Sequence, residues 1–307
     1  MELSTGWILA CWTLFGLFVG SFLNVAIHRY PLAGQTVSNP RRSHCPQCGR
    51  ELTWLENVPL LSWLALRGRC RGCDWPIPWR YPLVEALTGG LWLLAAWSTG
   101  IEHPALILAR VLVISGLIVA TFVDLDCFEI PDSVSIGGMV LAPLLSFLVP
   151  GLHADTWIAR EMSPDPAAVE RFWAFTASLA GMASGGGVLI AIGWLGARIF
   201  GKEAMGFGDV KLLAAGGGFL GPGGVLVALM MASVVASVGG VLNMARFFHL
   251  VRSRARARGG RRSFPRALRV ARSAGRYVPF GPYLAVGIGI VLLYWNDVIA
   301  IVLRARS

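Results

Sequence analysis

The chain has 307 residues, of which 55% are hydrophobic and only 14% are charged, and its mean hydropathy is +0.62. Ordinary globular chains carry about 25% charged residues, so this composition excludes a soluble protein, a disordered chain and a small disulfide scaffold. The net charge of +10 would indicate a nucleic-acid partner in a soluble protein, but here the basic clusters lie between apolar runs. The sequence therefore predicts an all-α polytopic membrane protein with about eight transmembrane helices.

Eight apolar segments approach the length that a membrane-spanning helix needs, about 20 residues for a hydrocarbon core of about 30 Å. In chain order they are Trp7–Ala26, Pro82–Trp97, Ala105–Val123, Ser133–Val149, Phe172–Ala197, Val210–Leu220, Val225–Phe247 and Tyr283–Leu303. The sixth is short, and the sequence Gly221-Pro222-Gly223-Gly224 predicts the turn that separates it from the seventh. Eight crossings place both termini on one side and the two basic loops on the other, which the positive-inside tendency makes the cytoplasm.

The first apolar segment follows Met1–Gly6, which contains one acidic residue and no Lys or Arg. A secretory signal peptide has a basic region before its apolar core, so we expect Trp7–Ala26 to be a retained helix. Residues 1–27 then form the first transmembrane helix, residues 28–81 a small cytoplasmic domain, and residues 82–307 the transmembrane core. Ser21 and Asn24 in the first helix are candidates for binding substrate, and equally for packing and hydrogen bonding between helices.

Two C-x2-C pairs follow the first helix: Cys45 with Cys48, and Cys70 with Cys73. Such pairs supply four thiolates that can surround Zn²⁺ as a tetrahedron. Four sulfur ligands leave no open position for water, so we expect a structural zinc rather than a catalytic one. Disulfides or a redox C-x-x-C pair are the alternatives, and the expected cytosolic location of the loop favours zinc because the cytosol is reducing.

Acidic residues follow the third apolar segment and precede the sixth: Asp124, Asp126 and Asp132 in one place, and Asp209 in the other. Acidic groups at the end of a membrane helix are costly and are therefore functional candidates. Two carboxyl groups from different helices in a low-dielectric site can hold one proton between them. One then takes a proton from water and the other hydrogen-bonds the scissile carbonyl, which is the chemistry of an aspartic protease.

The spacing of these acids leaves the catalytic pair open. Asp124 and Asp126 are two residues apart and would point to opposite sides of a helix, so at most one of them faces Asp209. Asp132 follows a proline and is interpreted as a helix cap, and capping is also the alternative for Asp209.

The three residues before Asp209, Gly206-Phe207-Gly208, are candidates for binding an extended substrate. Glycines lack Cβ atoms, so a substrate backbone can approach this segment closely. The chain's five histidines lie in no Ser or Cys nucleophile motif and in no H-x-x-x-H metal spacing. The acidic residues are therefore the one catalytic constellation that the sequence offers.

Two loops in the second half of the chain differ in charge. Residues 150–171 are mildly acidic and are expected to face outward, whereas residues 246–279 hold eleven arginines and no acid. The basic loop is expected at the cytoplasmic face, where anionic lipid headgroups rather than nucleic acid are its favoured partner.

Taken together, these features resemble the prepilin peptidase family, the type IV leader peptidases of bacterial pilus and type II secretion systems. The resemblance covers nearly the whole chain through several motifs in one order. They are Gly20–Val25 with Arg29 and Pro31, the four cysteines, Ser62–Leu64, Arg80–Glu85, Asp124–Asp132, Gly206–Leu212 and Pro279–Tyr283. The resemblance implies a bacterial inner-membrane aspartic endopeptidase that cuts the short leader of prepilins or pseudopilins after a glycine at the cytoplasmic face.

The resemblance also implies roles for individual residues. The family's catalytic pair falls on Asp124 and Asp209. Members with the four-cysteine loop N-methylate the new N-terminal residue with S-adenosylmethionine, and the glycine associated with methyl transfer is Gly68. No glycine-rich nucleotide loop follows a strand, so the sequence does not locate the S-adenosylmethionine site.

Two other classes of protein fit part of this pattern. An ion- or proton-coupled transporter also uses intramembrane acids and glycine-broken helices, but near the membrane midplane and within inverted repeats, which this sequence does not show. A membrane-held zinc-ribbon scaffold for protein assembly accounts for the cysteines and leaves Asp124 and Asp209 without a role.

Overall fold

The computed structural model describes residues 2–32, 34, 36–40, 42–163, 169–201, 205–257 and 279–304. In these residues the secondary structure is helical apart from turns and isolated β-bridges, which confirms the all-α prediction for this part of the chain. The α-helices are α1 (Glu2–Arg29), α2 (Leu61–Ala65), α3 (Arg80–Thr99), α4 (Pro104–Cys127), α5 (Asp132–Leu148), α6 (Trp157–Met162), α7 (Arg171–Phe200), α8 (Phe207–Ala257) and α9 (Gly281–Arg304). Short 3-10 turns lie at Trp54–Asn57 and Pro150–His153.

Four stretches of helix within the described residues are long and apolar enough to cross a membrane. They are Ser4–Arg29, Pro104–Cys127, Arg171–Ile199 and Phe207–Ser253, while Asp132–Leu148 and Gly281–Trp295 are shorter apolar helices. Large apolar side chains are exposed along these helices, among them Phe15, Val140, Ile190 and Met230. Exposed apolar surface of this extent is typical of a protein that contacts lipid. The count of eight crossings stays a prediction.

The turn predicted after the sixth apolar segment lies at a break inside α8. Gly221 has φ 73° and ψ 175°, which is not helical. A Cβ atom on Gly185 of α7 would lie 2.5 Å from the Leu213 carbonyl oxygen and 2.9 Å from a methyl group of Val225. In a continuous helix these two residues would lie about 18 Å apart. Both flanks of the break therefore pack at one level of α7, so the chain reverses at Gly221.

Helix α4 lies at the centre of the bundle and contacts α1, α3, α5 and α9. Its buried residues Ile107, Val111, Ile114 and Ile118 recur every three or four positions, which is the spacing of one helix face. The helix ends after Cys127, because Phe128 adopts a left-handed conformation (φ 58°) and donates its N–H to the Asp124 carbonyl oxygen at 2.9 Å. Asp124 consequently lies in the last turn of α4.

Helix α1 packs against α3 through glycines. A Cβ atom on Gly20 would lie 2.8 Å from the Cα atom of Glu85, and one on Gly16 would lie 2.8 Å from the Cβ atom of Trp92. Small residues allow two membrane helices to approach closely where the hydrophobic effect between them is absent. The contact places Glu85 beside the polar residues of α1.

Parts of both predicted loops lie outside the described residues. The basic loop 246–279 is helical as far as Ala257, and its residues 258–278 are outside, as are residues 164–168 of the outward loop.

Candidate active site and metal site

Asp124 and Asp209 line one cavity with a volume of about 760 Å³, which we name the aspartate cavity. Its walls are the residue after α1, the loop from α4 to α5, the first turn of α8 and the residues before α9. The two carboxyl groups are close enough for the charge of Asp124 to act on Asp209. Helices α4 and α8, which are distant in sequence, therefore bring together the two acids that the family resemblance implies as the catalytic pair.

The Asp124 side chain is buried, with 5% of the residue exposed. It lies against the backbone of Gly281 at the start of α9, and a Cβ atom there would collide with the carboxylate. Its Oδ2 atom has no hydrogen-bond partner among the described residues. A buried carboxylate oxygen without a partner at a cavity wall is available to water or to a substrate. Gly281 is part of a motif in the sequence, but its role depends on this tertiary contact.

Asp209 lies in the first turn of α8, which begins at Phe207, so it is not the cap of that helix. It is partly buried, and Gly206, Phe207 and Gly208 line the same cavity. The Phe207 side chain is 70% exposed, while a Cβ atom on Gly208 would lie 3.4 Å from that of Ile130. The three residues predicted to bind substrate beside Asp209 are thus at the cavity.

Asp132 also lines the aspartate cavity, but the prediction that it caps a helix is wrong. The cap position of α5 is Pro131, Asp132 is in the first turn, and no side-chain cap hydrogen bond is formed. The Asp132 carboxylate instead forms an ion pair with Lys211 of α8. The carboxylate is thus paired with the ammonium group of Lys211, four residues after the start of α8, and not with the backbone N–H groups of α5. The sequence gives no sign of that pairing.

Asp126 does not line the aspartate cavity. It is exposed and forms an ion pair with Arg80 of α3. The expectation that Asp124 and Asp126 point in different directions is thereby confirmed.

Asn24 lies in a different place from the other predicted substrate-binding residues. It is buried, and its Nδ2 atom donates a hydrogen bond to the Tyr81 carbonyl oxygen at 3.0 Å. It lines a second cavity of about 340 Å³ between α1, α3 and the four-cysteine segment, which we name the cysteine-side cavity. The wall of this cavity also includes Glu56, Trp63 and Glu85, to which the sequence assigned no role.

The four cysteines of the C-x2-C pairs form one cluster. The sulfur atoms of Cys45, Cys48, Cys70 and Cys73 all lie within 4.8 Å of one another. All six cysteines of the chain are free thiols, so the disulfide alternative is not supported. Four thiols at this spacing are a donor set that Zn²⁺ prefers, and the cluster can therefore hold a metal ion.

Each pair is shaped by the same backbone turn. Cys45 N–H bonds to the Arg50 carbonyl and Gly49 N–H to the Cys45 carbonyl, both at 2.9 Å. In the second pair, Cys70 N–H bonds to the Trp75 carbonyl at 2.9 Å, and Asp74 N–H to the Cys70 carbonyl at 3.0 Å. Gly49 and Asp74, which close the turns, both have positive φ angles. Two equivalent turns thus present their thiols to a common centre.

The thiols of the cluster differ in acidity. The backbone N–H of Gly72 points at Cys70 Sγ and lowers the pKa of Cys70 to about 6. Although the Trp75 backbone opposes it, partial desolvation together with hydrogen bonds to the neighbouring thiols raises the pKa of Cys73 to about 12. Metal binding requires thiolates, so the protons on these thiols must leave when an ion binds.

Gly68 is two residues before Cys70 of the metal cluster and lies against Trp63, which lines the cysteine-side cavity. Its φ angle is 65°, and a Cβ atom there would lie 2.9 Å from the indole ring of Trp63. Any larger residue at this position therefore strains the backbone and displaces a wall of the cavity.

Comparison with known proteins matches two family descriptions to this chain. The Bacterial Peptidase A24 N-terminal domain matches residues 14–99, which include the four cysteines. The Type IV leader peptidase family matches residues 111–241, which include both acids of the aspartate cavity.

Several relatives are named prepilin leader peptidase/N-methyltransferase. The protein from Aeromonas hydrophila is 34% identical over 317 residues, which cover 92% of this chain and 89% of the relative. The protein from Pseudomonas aeruginosa is 33% identical over 308 residues, covering 94% of this chain and 90% of the relative. The protein from Myxococcus xanthus is 42% identical over 230 residues, covering 74% of this chain and 60% of the relative. No solved structure matches the chain, and these similarities do not support a transporter.

Proposed function

The chain belongs to the type IV leader peptidase family, and on this premise we propose that it is a membrane aspartic endopeptidase that also methylates its product. The enzyme removes the short leader of type IV prepilins or type II secretion pseudopilins after a glycine, and then N-methylates the new N-terminal residue. The relatives' names join these two activities, and the chain has one cavity beside two acids and another beside a four-cysteine cluster.

The observation that carries the peptidase proposal is that Asp124 and Asp209 line one cavity from the ends of two different helices. The ionised carboxyl of the pair accepts a proton from a water molecule, and the protonated one donates a hydrogen bond to the scissile carbonyl oxygen. The water oxygen attacks the carbonyl carbon, and the proton then passes to the leaving amine. No covalent enzyme intermediate is needed.

The substrate lies along Gly206, Phe207 and Gly208 in this proposal. These residues have little side-chain bulk next to Asp209 apart from the exposed ring of Phe207. An extended peptide that pairs with their backbone brings its scissile bond to the carboxyl groups. The exposed Phe207 ring offers an apolar contact to the residue that follows the cleaved bond.

The four-cysteine cluster holds a structural Zn²⁺ in this proposal, with Cys45, Cys48, Cys70 and Cys73 as ligands. The ion fixes the two turns of residues 28–81, which have few other means of holding their shape: the described part of this segment has no long helix. S-adenosylmethionine supplies the methyl group for the second reaction.

The protein lies in the bacterial inner membrane with eight crossings, and its active site lies at the cytoplasmic face. Both acids are at helix ends, and the four-cysteine segment joins α1 to α3 at the end where α1 finishes. The basic residues from 246 onward belong to the same face, where anionic lipid is their partner, and both termini are then periplasmic.

The test is mass spectrometry of the N-terminus of a purified prepilin after incubation with the pure enzyme in detergent, with and without S-adenosylmethionine. We expect the leader to be removed in both incubations and the new N-terminus to gain a methyl group only in the second. Asp209→Asn preserves the shape of the side chain and should abolish both changes, because methylation requires the freed amine. Cleavage by this variant at the wild-type rate would refute the proposal.

A further inference from the structure

We propose that the cysteine-side cavity binds S-adenosylmethionine, with Glu85 facing the positive charge of the ligand and Trp63 forming the wall against which it packs. The inference rests on the proposed function, from which it takes the methyl donor, and it adds where that donor binds. The two cavities share no lining residue. Cleavage and methylation are therefore assigned to separate sites.

The size and lining of the cavity fit a ligand of this chemical class. Its volume of about 340 Å³ falls in the range of roughly 300–1,000 Å³ that is typical of small-molecule sites. Three aromatic side chains, Trp63, Trp75 and Tyr81, line it together with polar groups. Aromatic rings bind a flat purine by stacking, and their faces attract a cation such as a sulfonium or an ammonium group.

Glu85 is the clearest sign that the missing partner is a cation. The residue is 8% exposed, and its carboxylate accepts the backbone N–H of Leu60 at 2.8 Å and a hydrogen bond from the Ser21 side chain. It has no ion-pair partner among the described residues. A buried carboxylate is costly unless it is paired, and an ionised one has room for several further hydrogen bonds. A cationic ligand in the cavity would provide that pairing.

The other carboxylate in the cavity wall is already engaged. Glu56 forms an ion pair with Arg50 at 2.5 Å and accepts the backbone N–H of Thr53 at 2.8 Å. Its role is to hold the turn at Trp54–Asn57, so Glu85 is the acid left for a ligand.

Trp63 is fixed from two sides. Its Nε1 atom donates a hydrogen bond to the Ile77 carbonyl oxygen at 3.2 Å, and Gly68 lies directly against its ring. A ring held in this way forms a rigid surface, which lowers the entropic cost of binding a flat ligand. The same contact explains how a substitution at Gly68 would disturb the cavity without changing a metal ligand.

The reaction in the cavity is a transfer to a neutral amine. The amine lone pair forms the new bond to the methyl carbon while the carbon–sulfur bond breaks, and that electron pair stays on sulfur as a thioether. The methylated ammonium then releases one proton to water.

The experiment is titration calorimetry of the purified full-length protein in detergent with S-adenosylmethionine. Glu85→Gln and Trp63→Leu should each weaken binding by about tenfold or more, as buried hot-spot residues do. The matched controls are Glu51→Gln, whose acid pairs with Arg42 at the surface, and Trp54→Leu, whose ring is 77% exposed. Both controls lie outside the cavity wall and should bind as the wild type does. Unchanged zinc content and leader cleavage show that each variant is folded.

A second measurement does not depend on any variant. Ultraviolet crosslinking of tritiated S-adenosylmethionine to the wild-type protein should label a peptide within residues 54–85. Label confined to the aspartate cavity, or wild-type affinity in both Glu85→Gln and Trp63→Leu, would overturn the cavity assignment while the methyltransferase function stands. A wild-type protein that cleaves leaders but neither binds nor uses S-adenosylmethionine would instead refute the methyltransferase function, and this inference with it.

Discussion

Arg80 and Asp126 form an ion pair with an N–O distance of 2.6 Å, which joins the first turn of α3 to the last turn of α4. Two residues earlier on α4, Asp124 is buried and has an oxygen without a partner among the described residues. The last turn of α4 thus holds Asp126, which forms an ion pair with α3, and Asp124, which lines the aspartate cavity. This difference separates two residues that the sequence spacing left equivalent.

We predict that Asp124→Asn lowers the rate of leader cleavage by about a hundredfold or more, which is the contribution of a general acid or base. Asp126→Asn should keep the rate within a few-fold of wild type, because it weakens an exposed ion pair and leaves the cavity unchanged. The measurement is the initial cleavage rate of a purified prepilin by equal amounts of each folded variant. The reverse order of activities would show that the wrong acid has been chosen.

Removal of a thiol from the four-cysteine cluster is expected to release zinc. Cys70→Ser and Cys48→Ser each replace one of the four sulfur ligands, so each should lower the bound zinc found by metal analysis of the purified protein. Each should also lower the rate of methyl transfer. Cys11→Ser is the matched control, because Cys11 lies in α1 outside the cluster. A full complement of zinc in the Cys70→Ser protein would count against the ligand set.

Gly221→Ala should destabilise the protein, since the backbone conformation at this position is open to glycine almost alone. Its φ of 73° and ψ of 175° cost other residues about 1–3 kcal/mol, and a Cβ atom would lie 2.5 Å from Thr156 Cγ2. Gly223→Ala is the control in the same turn, where a Cβ atom meets nothing within 4 Å. Thermal unfolding in detergent should therefore show a midpoint several degrees lower for Gly221→Ala than for Gly223→Ala. Equal midpoints would mean that the break is not required.

His153 is predicted to make stability depend on pH. It is fully buried at the turn before α6, with Nε2 2.9 Å from Ser146 Oγ, and burial lowers its pKa from 6.5 to about 4. Well above pH 6.5 the ring is neutral in both folded and unfolded chains, so its pKa shift has no effect on stability. As the pH falls from 6.5 towards 4, the unfolded chain binds a proton and the folded one does not, which lowers the free energy of unfolding by up to about 3 kcal/mol.

The check on His153 is the unfolding midpoint at pH 7.5 and at pH 5. The fall in midpoint between these two values should be smaller in His153→Gln than in the wild type. His103→Gln, which changes the residue before α4, serves as the control and should keep the wild-type pH dependence. An identical fall in all three proteins would show that His153 does not titrate on unfolding.

Several features of the fold follow from local sequence. The apolar segments gave the positions of the long helices, because a run of such residues favours a helix wherever lipid replaces water. The glycine-rich turn at Gly221 was also predictable, since glycine and proline interrupt a helix through their own backbone. The prediction that Asp132 caps a helix was wrong because capping is inferred from neighbours in sequence, whereas Lys211 pairs with Asp132 from another helix.

What the sequence determined by itself is the class of protein and its reactive groups: a helical membrane protein, a set of four thiols, and acids at helix ends. Only the tertiary structure decided which of these groups meet. In the folded chain Asp124 and Asp209 line one cavity, while Asp126 forms an ion pair with Arg80. Asn24 lines the other cavity together with Glu85 and Trp63. The reason is that helical periodicity fixes only the direction of a side chain around its own axis, whereas contacts between helices depend on how closely their surfaces pack, and here glycines such as Gly20 and Gly281 set that distance.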